Sequence, residues 1–346
     1  MAQLELIQST PFDGPAIRHL LCEAFGFDDS HPSLDPAMMD WKFWRPHSGW
    51  AGSRSYQLRQ NGTLLAHAAV IPTNLADESA SLRALHFIDW ASSPKSLTGG
   101  TQLLRRLAAV TDVLCAVGGS AATRKILPML GFKPRGSVQT WARPIRPWLQ
   151  ARTGYAVDWK LPLRWGRNTA WNLSSPLQTD PSWSCTPADP RTIPARLWKA
   201  STRDPVLRSR RDPAAIEHFL ACPDARFRFY VACERGEPRG CFLVARVDGQ
   251  ARVADLWLEE PAAHRWIAMY KLAGQACYND PEAVEIVTYS SIDARSEALQ
   301  QCGFRCLRET PLMVYSSSAP PDLAIDCQMA DNDSAFLRST QRAYWT

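Results

Sequence analysis

Residues Val113 to Gly136, VLCAVGGSAATRKILPMLGFKPRG, and residues Val284 to Glu309, VEIVTYSSIDARSEALQQCGFRCLRE, read as one passage written twice. Each opens on an apolar strand-like run, crosses a short polar loop, enters a helix-length segment and closes on Gly-Phe. The two Gly-Phe pairs lie 303 − 131 = 172 residues apart. A glycine just past a helix supplies the left-handed residue that ends it, so Gly131 and Gly303 are predicted at that position, with the following Phe packing back on the core. Self-similarity at a fixed offset indicates two copies of one structural unit.

The correspondence extends outward. DPAMMDWKFWRP (Asp35 to Pro46) faces DPAAIEHFLACP (Asp212 to Pro223), two helices opened by Asp-Pro and closed by proline. RSYQLRQNGTLLAHAAVIP (Arg54 to Pro72) faces RFYVACERGEPRGCFLVARV (Arg228 to Val247), each an alternating pair of runs about a Gly-containing turn and hence a predicted hairpin. ALHFIDWASSP (Ala84 to Pro94) faces ARVADLWLEEP (Ala251 to Pro261), an apolar strand carrying one Asp. Each copy is therefore expected to run β, α, α, β, β, β, α, β, α, β, an α/β unit with a mixed sheet covered by helices. The expected units are 1–145 and 182–320. They are joined by a Pro-, Trp- and Arg-rich connector at 146–181, predicted to be extended and to pack by its tryptophans, and followed by a tail at 321–346 that docks back on the first copy.

Composition excludes other classes. The 346 residues are 45% hydrophobic and 21% charged, with 39 Lys+Arg against 34 Asp+Glu, and the mean hydropathy is -0.26. These are values of an ordinary globular protein. The net +5 is scattered, so nucleic acid is not an expected partner. Its densest piece, RDPVLRSRR (Arg203 to Arg211), reads as a solvated linker or helix face. No segment reaches the length of a membrane span, and MAQLELIQSTPFDG lacks the pattern of a secretion signal, so a cytoplasmic protein is expected. The ten cysteines form no CxxC pair, and Cys302 with Cys306 lacks a second ligand pair; neither disulfides nor a metal is expected.

This element order, with a small-residue loop after the fourth strand and LGF closing the fourth helix, resembles the acyl-CoA N-acyltransferase (GNAT) superfamily in tandem, with a degenerate second copy. The resemblance implies acetyl-CoA or another acyl-CoA as co-substrate and an amine of a small molecule, sugar or peptide as acceptor. It places the diphosphate loop on Lys95, Ser96, Leu97, Thr98, Gly99 and Gly100. Here Lys95 stands for the usual Arg or Gln, Thr98 replaces the first Gly, and Gly100 matches. Backbone N–H groups from Thr98 to Thr101 at a helix start suit an anion; the plain alternative is a turn capped by Thr98 or Thr101. In the second copy Glu259 and Glu260 occupy this place and would repel phosphate.

The resemblance also puts the pantetheine arm and thioester beside Asp89, Trp90 and Ala91. Asp89, in an apolar strand end where burial would raise its pKa, is the candidate base for the acceptor amine; capping, or pairing with Arg83 or Arg105, is the structural alternative. His67 and His86 share its neighbourhood and read equally as hydrogen-bonded core histidines. The Tyr that commonly protonates the departing thiolate in this family is replaced by Leu127 and, in the second copy, Leu299. That leaves open a catalytically inactive tandem that binds a ligand or partner, and transfer from a carrier other than CoA. Oligomeric state is not legible.

Overall fold

A computed structural model describes residues 4–76, 81–153, 159–198, 206–316, 324–338 and 344–346. The first repeat runs β1 (Leu4–Gln8), α1 (Gly14–Phe25), α2 (Pro36–Met39), β2 (Ser55–Gln60), β3 (Thr63–Ala76), β4 (Ser81–Ser92), α3 (Gly99–Leu107), β5 (Val113–Val117), α4 (Ala121–Met129) and β6 (Lys133–Pro144), in the expected order. The connector carries α5 (Pro147–Thr153) and α6 (Leu161–Ser174). The second repeat follows with β7 (Trp183–Pro187), β8 (Val206–Arg210), α7 (Pro213–Leu220), β9 (Arg226–Glu234), β10 (Glu237–Val247), β11 (Gln250–Leu258), α8 (Ala263–Tyr278), β12 (Glu285–Ser290), α9 (Asp293–Gln301) and β13 (Arg305–Ser316); the tail adds β14 (Ala324–Asp326).

Local chemistry accounts for the shared features. Both hairpins turn on two residues with positive φ, Asn61 and Gly62 in one, Arg235 and Gly236 in the other, the turn whose twist matches paired strands. Gly131 (φ +89°) and Gly303 (φ +77°) end α4 and α9 in the left-handed region. The following N–H groups of Phe132 and Phe304 donate to Leu127 O and Leu299 O, and both rings are buried.

One sheet passes through both repeats in the order β1-β2-β3-β4-β5-β13-β6-β12-β11-β10-β9-β7. The order is a palindrome of repeat-equivalent strands, but the last strand of each repeat has crossed over: β13 pairs antiparallel with β5, and β6 with β12. A buried apolar cluster draws on both repeats, with Trp41 stacked on His218 and donating to its carbonyl at 2.7 Å.

Three expectations are corrected. The connector is helical rather than extended, and of its tryptophans Trp171 is buried on Gly303 O (2.7 Å) whereas Trp148, Trp159 and Trp165 are 55, 77 and 49% exposed. Among the described residues, the second repeat has only short 3-10 turns (Pro190–Thr192, Ala195–Trp198) where α1 would recur. The basic stretch is no solvated linker: Val206–Arg210 forms β8 between β3 and β14, and Arg211 is buried against Asp255 (2.5 Å) and Asp331 (2.6 Å). All ten cysteines are free, and no described helix is long and apolar enough to cross a membrane.

Candidate functional site

β4 and β5 pair in parallel only over Ala84–His86 and Val113–Cys115; beyond that the strands diverge. The gap is a cleft of about 580 Å³ lined by His86–Ser92, by the β5–α4 turn Ala116–Ser120, by Glu23–Phe25 of α1, and by Asn332 and Asp333 of the tail. A bulge shapes its wall. His67 pairs with Ala91 and Ala69 with Ile88, so that Asp89 and Trp90 together oppose Ala68. Asp89 takes φ +49° there, a conformation that Asp tolerates better than most side chains.

The Asp89 carboxylate accepts from Lys42 Nζ at 2.7 Å, with the two side chains 11% and 1% exposed. The lone buried carboxylate expected from sequence is thus half of an ion pair, and neither Arg83, which approaches Asp112, nor Arg105 is its partner. Lys42 stands on a π-turn, Asp40–Trp44, that continues α2. This turn leaves carbonyls of Trp41 and Lys42 to the buried Arg54 guanidinium, which donates to both.

His67 is fully buried. Its Nδ1 donates to the Asp89 carbonyl (3.1 Å) and its Nε2 accepts from Ser55 Oγ (2.8 Å). Burial pushes the imidazole down to about 4, so it is neutral and holds the bulge in place. His86 lies in the cleft wall, 1% exposed, and neither of its ring nitrogens has a partner among the described residues; burial lowers its pKa too.

The loop after β4 departs in part from its expected form. Ser96 Oγ accepts the Gly99 N–H at 3.1 Å, which removes that amide from the expected bare set. The N–H groups of Thr98, Gly100 and Thr101 meet no acceptor among the described residues. Neither Thr98 nor Thr101 caps α3 by its side chain. The glycines answer to packing: a Cβ on Gly99 would lie 3.1 Å from Leu65 O, and one on Gly100 3.1 Å from Trp90 Nε1, which donates to Gly100 O. Trp90 and Ala91 line the cleft; Lys95, Ser96, Leu97, Thr98, Gly99, Gly100 and Thr101 do not, and Leu97 is 98% exposed.

The matching cleft of the second repeat is filled. β11 and β12 pair over Gln250–Val253 and Glu285–Thr288, then diverge likewise. Into that gap the tail inserts Gln328, whose Oε1 accepts the Leu256 N–H (2.7 Å) and whose Nε2 donates to Leu256 O (3.1 Å). Arg295, itself 1% exposed, braces the plug through Gln328 Oε1 (2.8 Å) and Asp326 (2.7 Å). Occupancy by the chain itself closes this cleft more completely than Glu259 and Glu260 would, since Arg196, Arg239 and Arg265 pair with them.

From the plug the tail crosses to the first cleft. Asp331 binds Arg211 and Ser209, and Asn332 and Asp333 then face the opening. Asn332 Nδ2 is buried without a partner among the described residues. Burial, reinforced by repulsion from Asp89, pushes the Asp333 carboxyl up to about 6. Farther on, Trp345 and Thr346 donate backbone N–H groups to the buried Glu285. Lys42 and Asp333 escaped sequence reasoning: the one signal for Lys42 is a cation set between Trp41 and Phe43, and Asp333 lies more than 240 residues from Asp89, in a tail to which only docking was assigned. Leu127 and Leu299 are 0% exposed core residues and offer no proton.

No family model matches the sequence, and no curated protein matches it. Solved structures share its fold. A GCN5-related N-acetyltransferase from Anabaena variabilis superposes with a TM-score of 0.57 at 10% identity, over 91% of this chain and 73% of that one. Another, from Kribbella flavida, gives 0.50 at 12%, over 91% and 71%. N-myristoyltransferase of Saccharomyces cerevisiae, solved with bound myristoyl-CoA, gives 0.59 at 13%, over 93% and 84%.

Proposed function

From a chain with the GNAT fold in tandem, we propose an N-acyltransferase that takes an acyl group, acetyl in the simplest case, from an acyl-CoA in the first repeat and passes it to an amine of a small molecule, sugar or peptide. The contrast between two matching clefts carries the reading. In the second, a side-chain amide of the tail bonds both the N–H and the C=O of Leu256; in the first, the corresponding edge of β4 lies open. An extended, amide-bearing arm such as pantetheine would pair with that edge at Trp90 and Ala91 as an added strand.

The remaining parts follow from that pose. The bare N–H groups of Gly100 and Thr101, at the positive end of α3 and near Lys95, receive the diphosphate, with Ser96, Leu97, Thr98 and Gly99 shaping the loop. Backbone N–H groups of the bulge would then polarise the thioester carbonyl, where charge develops. Two carboxylates, Asp89 and Asp333, line the cleft at this end, and one of them receives the amine's proton.

Titration calorimetry of acetyl-CoA against the wild type and Thr101→Asp tests the donor. An acid in the first turn suits the helix but repels diphosphate, so binding should weaken at least tenfold without loss of stability. Absence of binding, or equal binding by both, refutes the reading.

Burial of Leu127 favours a second reading, a tandem that binds its ligand without turnover. Release of free CoA thiol across a panel of amines separates the two. A donor other than CoA would be seen by native mass spectrometry of the purified protein.

A further inference from the structure

The tail is pinned on both sides of the residues it presents to the open cleft. Upstream, Gln328 is locked into the second cleft by Leu256 and Arg295, and Asp331 is locked by Arg211. Downstream, Ser334 O and Leu337 O accept from the buried Arg252 at 2.8 and 2.7 Å. Between these anchors Asp333 lines the cleft together with Asp89 and His86. The charged and titratable groups around it are Asp89 and His86 of β4, Lys42 of the π-turn, Glu23 of α1, Arg252 of β11, Tyr289 of β12 and its own neighbour Asp331. Lys42 is engaged with Asp89, Arg252 with Gln250 and the two tail carbonyls, and Asp331 with Arg211. Among the described residues, no ion pair and no hydrogen bond from another residue holds the Asp333 carboxylate.

Resting on the acyl-transfer reading, we propose that Asp333, carried into the first cleft by the C-terminal tail, takes the proton from the acceptor ammonium, while the Lys42–Asp89 pair positions the bulge. One proton passes from R–NH3⁺ to the Asp333 carboxylate. The freed nitrogen pair forms the C–N bond to the thioester carbon, and the carbonyl π pair moves onto oxygen. On collapse the C–S bond breaks with its pair on sulfur; the thiolate receives the proton held by Asp333, and the second ammonium proton leaves to solvent. An acid poised near 6 suits both transfers near neutral pH.

The test uses the full chain with acetyl-CoA and two acceptor probes: benzylamine, cationic at neutral pH, and hydroxylamine, already neutral there. Asp333→Asn should lower kcat/KM for benzylamine by about 100-fold or more, at least tenfold further than for hydroxylamine, whose nitrogen needs no deprotonation before attack, and abolish the acid limb near pH 6. Equal loss on both amines, or an acid limb that persists, overturns the assignment. Infrared difference titration gives a readout free of turnover: loss of one protonated-carboxyl component titrating near pH 6 in Asp333→Asn, beside the one the buried Asp255 contributes, supports it, and a titration identical to the wild type refutes it. A wild type that binds acetyl-CoA yet acylates neither probe sinks the transfer reading instead.

Discussion

Lys42 and Asp89 illustrate how a charge pair can be more consequential when half broken than when absent. Lys42 is 1% exposed at its side chain, so removing one partner leaves the other charge with little water. Lys42→Met should cost about 3 kcal/mol in urea unfolding, and adding Asp89→Asn should recover much of it. His67 supplies a second test. Its folded-state pKa is depressed to about 4, so its contribution is present above the unfolded value of 6.5 and is lost as pH falls toward 4. Across that window the wild type should lose up to about 3 kcal/mol relative to His67→Gln, measured as paired unfolding curves. If the difference stays flat, the imidazole is not a buried neutral bridge.

At the scale of elements, the tail behaves as a ligand of its own chain. Gln328→Ala would strip partners from Leu256 and Arg295 in the filled cleft, with an expected loss of about 2 kcal/mol. Arg211→Met would strand Asp255 and Asp331 and cost about 3 to 5 kcal/mol by the same measurement. Because these contacts also fix the approach of Asp333, Gln328→Ala should lower turnover by more than its effect on stability accounts for. The expected order of elements was legible because its signals are local: Asp-Pro at helix starts, two-residue turns, Gly-Phe at helix ends. Helices α5 and α6 were not, since proline and tryptophan obscure their periodicity until Trp171 finds Gly303 and Arg143 binds the carbonyls of Asn172 and Ser175. The cleft wall at Asp89–Ala91 could be read from one apolar strand; its cation and its tail could not, because both arrive from distant sequence.

For the molecule as a whole, exchange of β6 and β13 makes each repeat complete only in the presence of the other. For residues 1–145 by themselves the exchange leads to a sharp expectation. Expressed alone, that piece would expose the β5 edge to solvent and leave β6 without either neighbour, so it should associate or aggregate rather than run as a monomer in light scattering. The intact chain should melt in one calorimetric transition, whereas two independent units would give two. Strand exchange was invisible to the sequence because β6 and β13 occupy equivalent places in the repeats, and nothing within either strand records which neighbour it prefers.

That exchange also sets a timetable for synthesis. The outer edge of β5 is made by Val117, but the strand that covers it begins only at Arg305, roughly 190 residues later. At about 5 to 20 residues per second, the nascent chain carries an open sheet edge for some 10 to 40 seconds. A holding factor at the ribosome, or a slow codon schedule that spaces neighbouring ribosomes apart, would guard this interval against pairing between sibling chains.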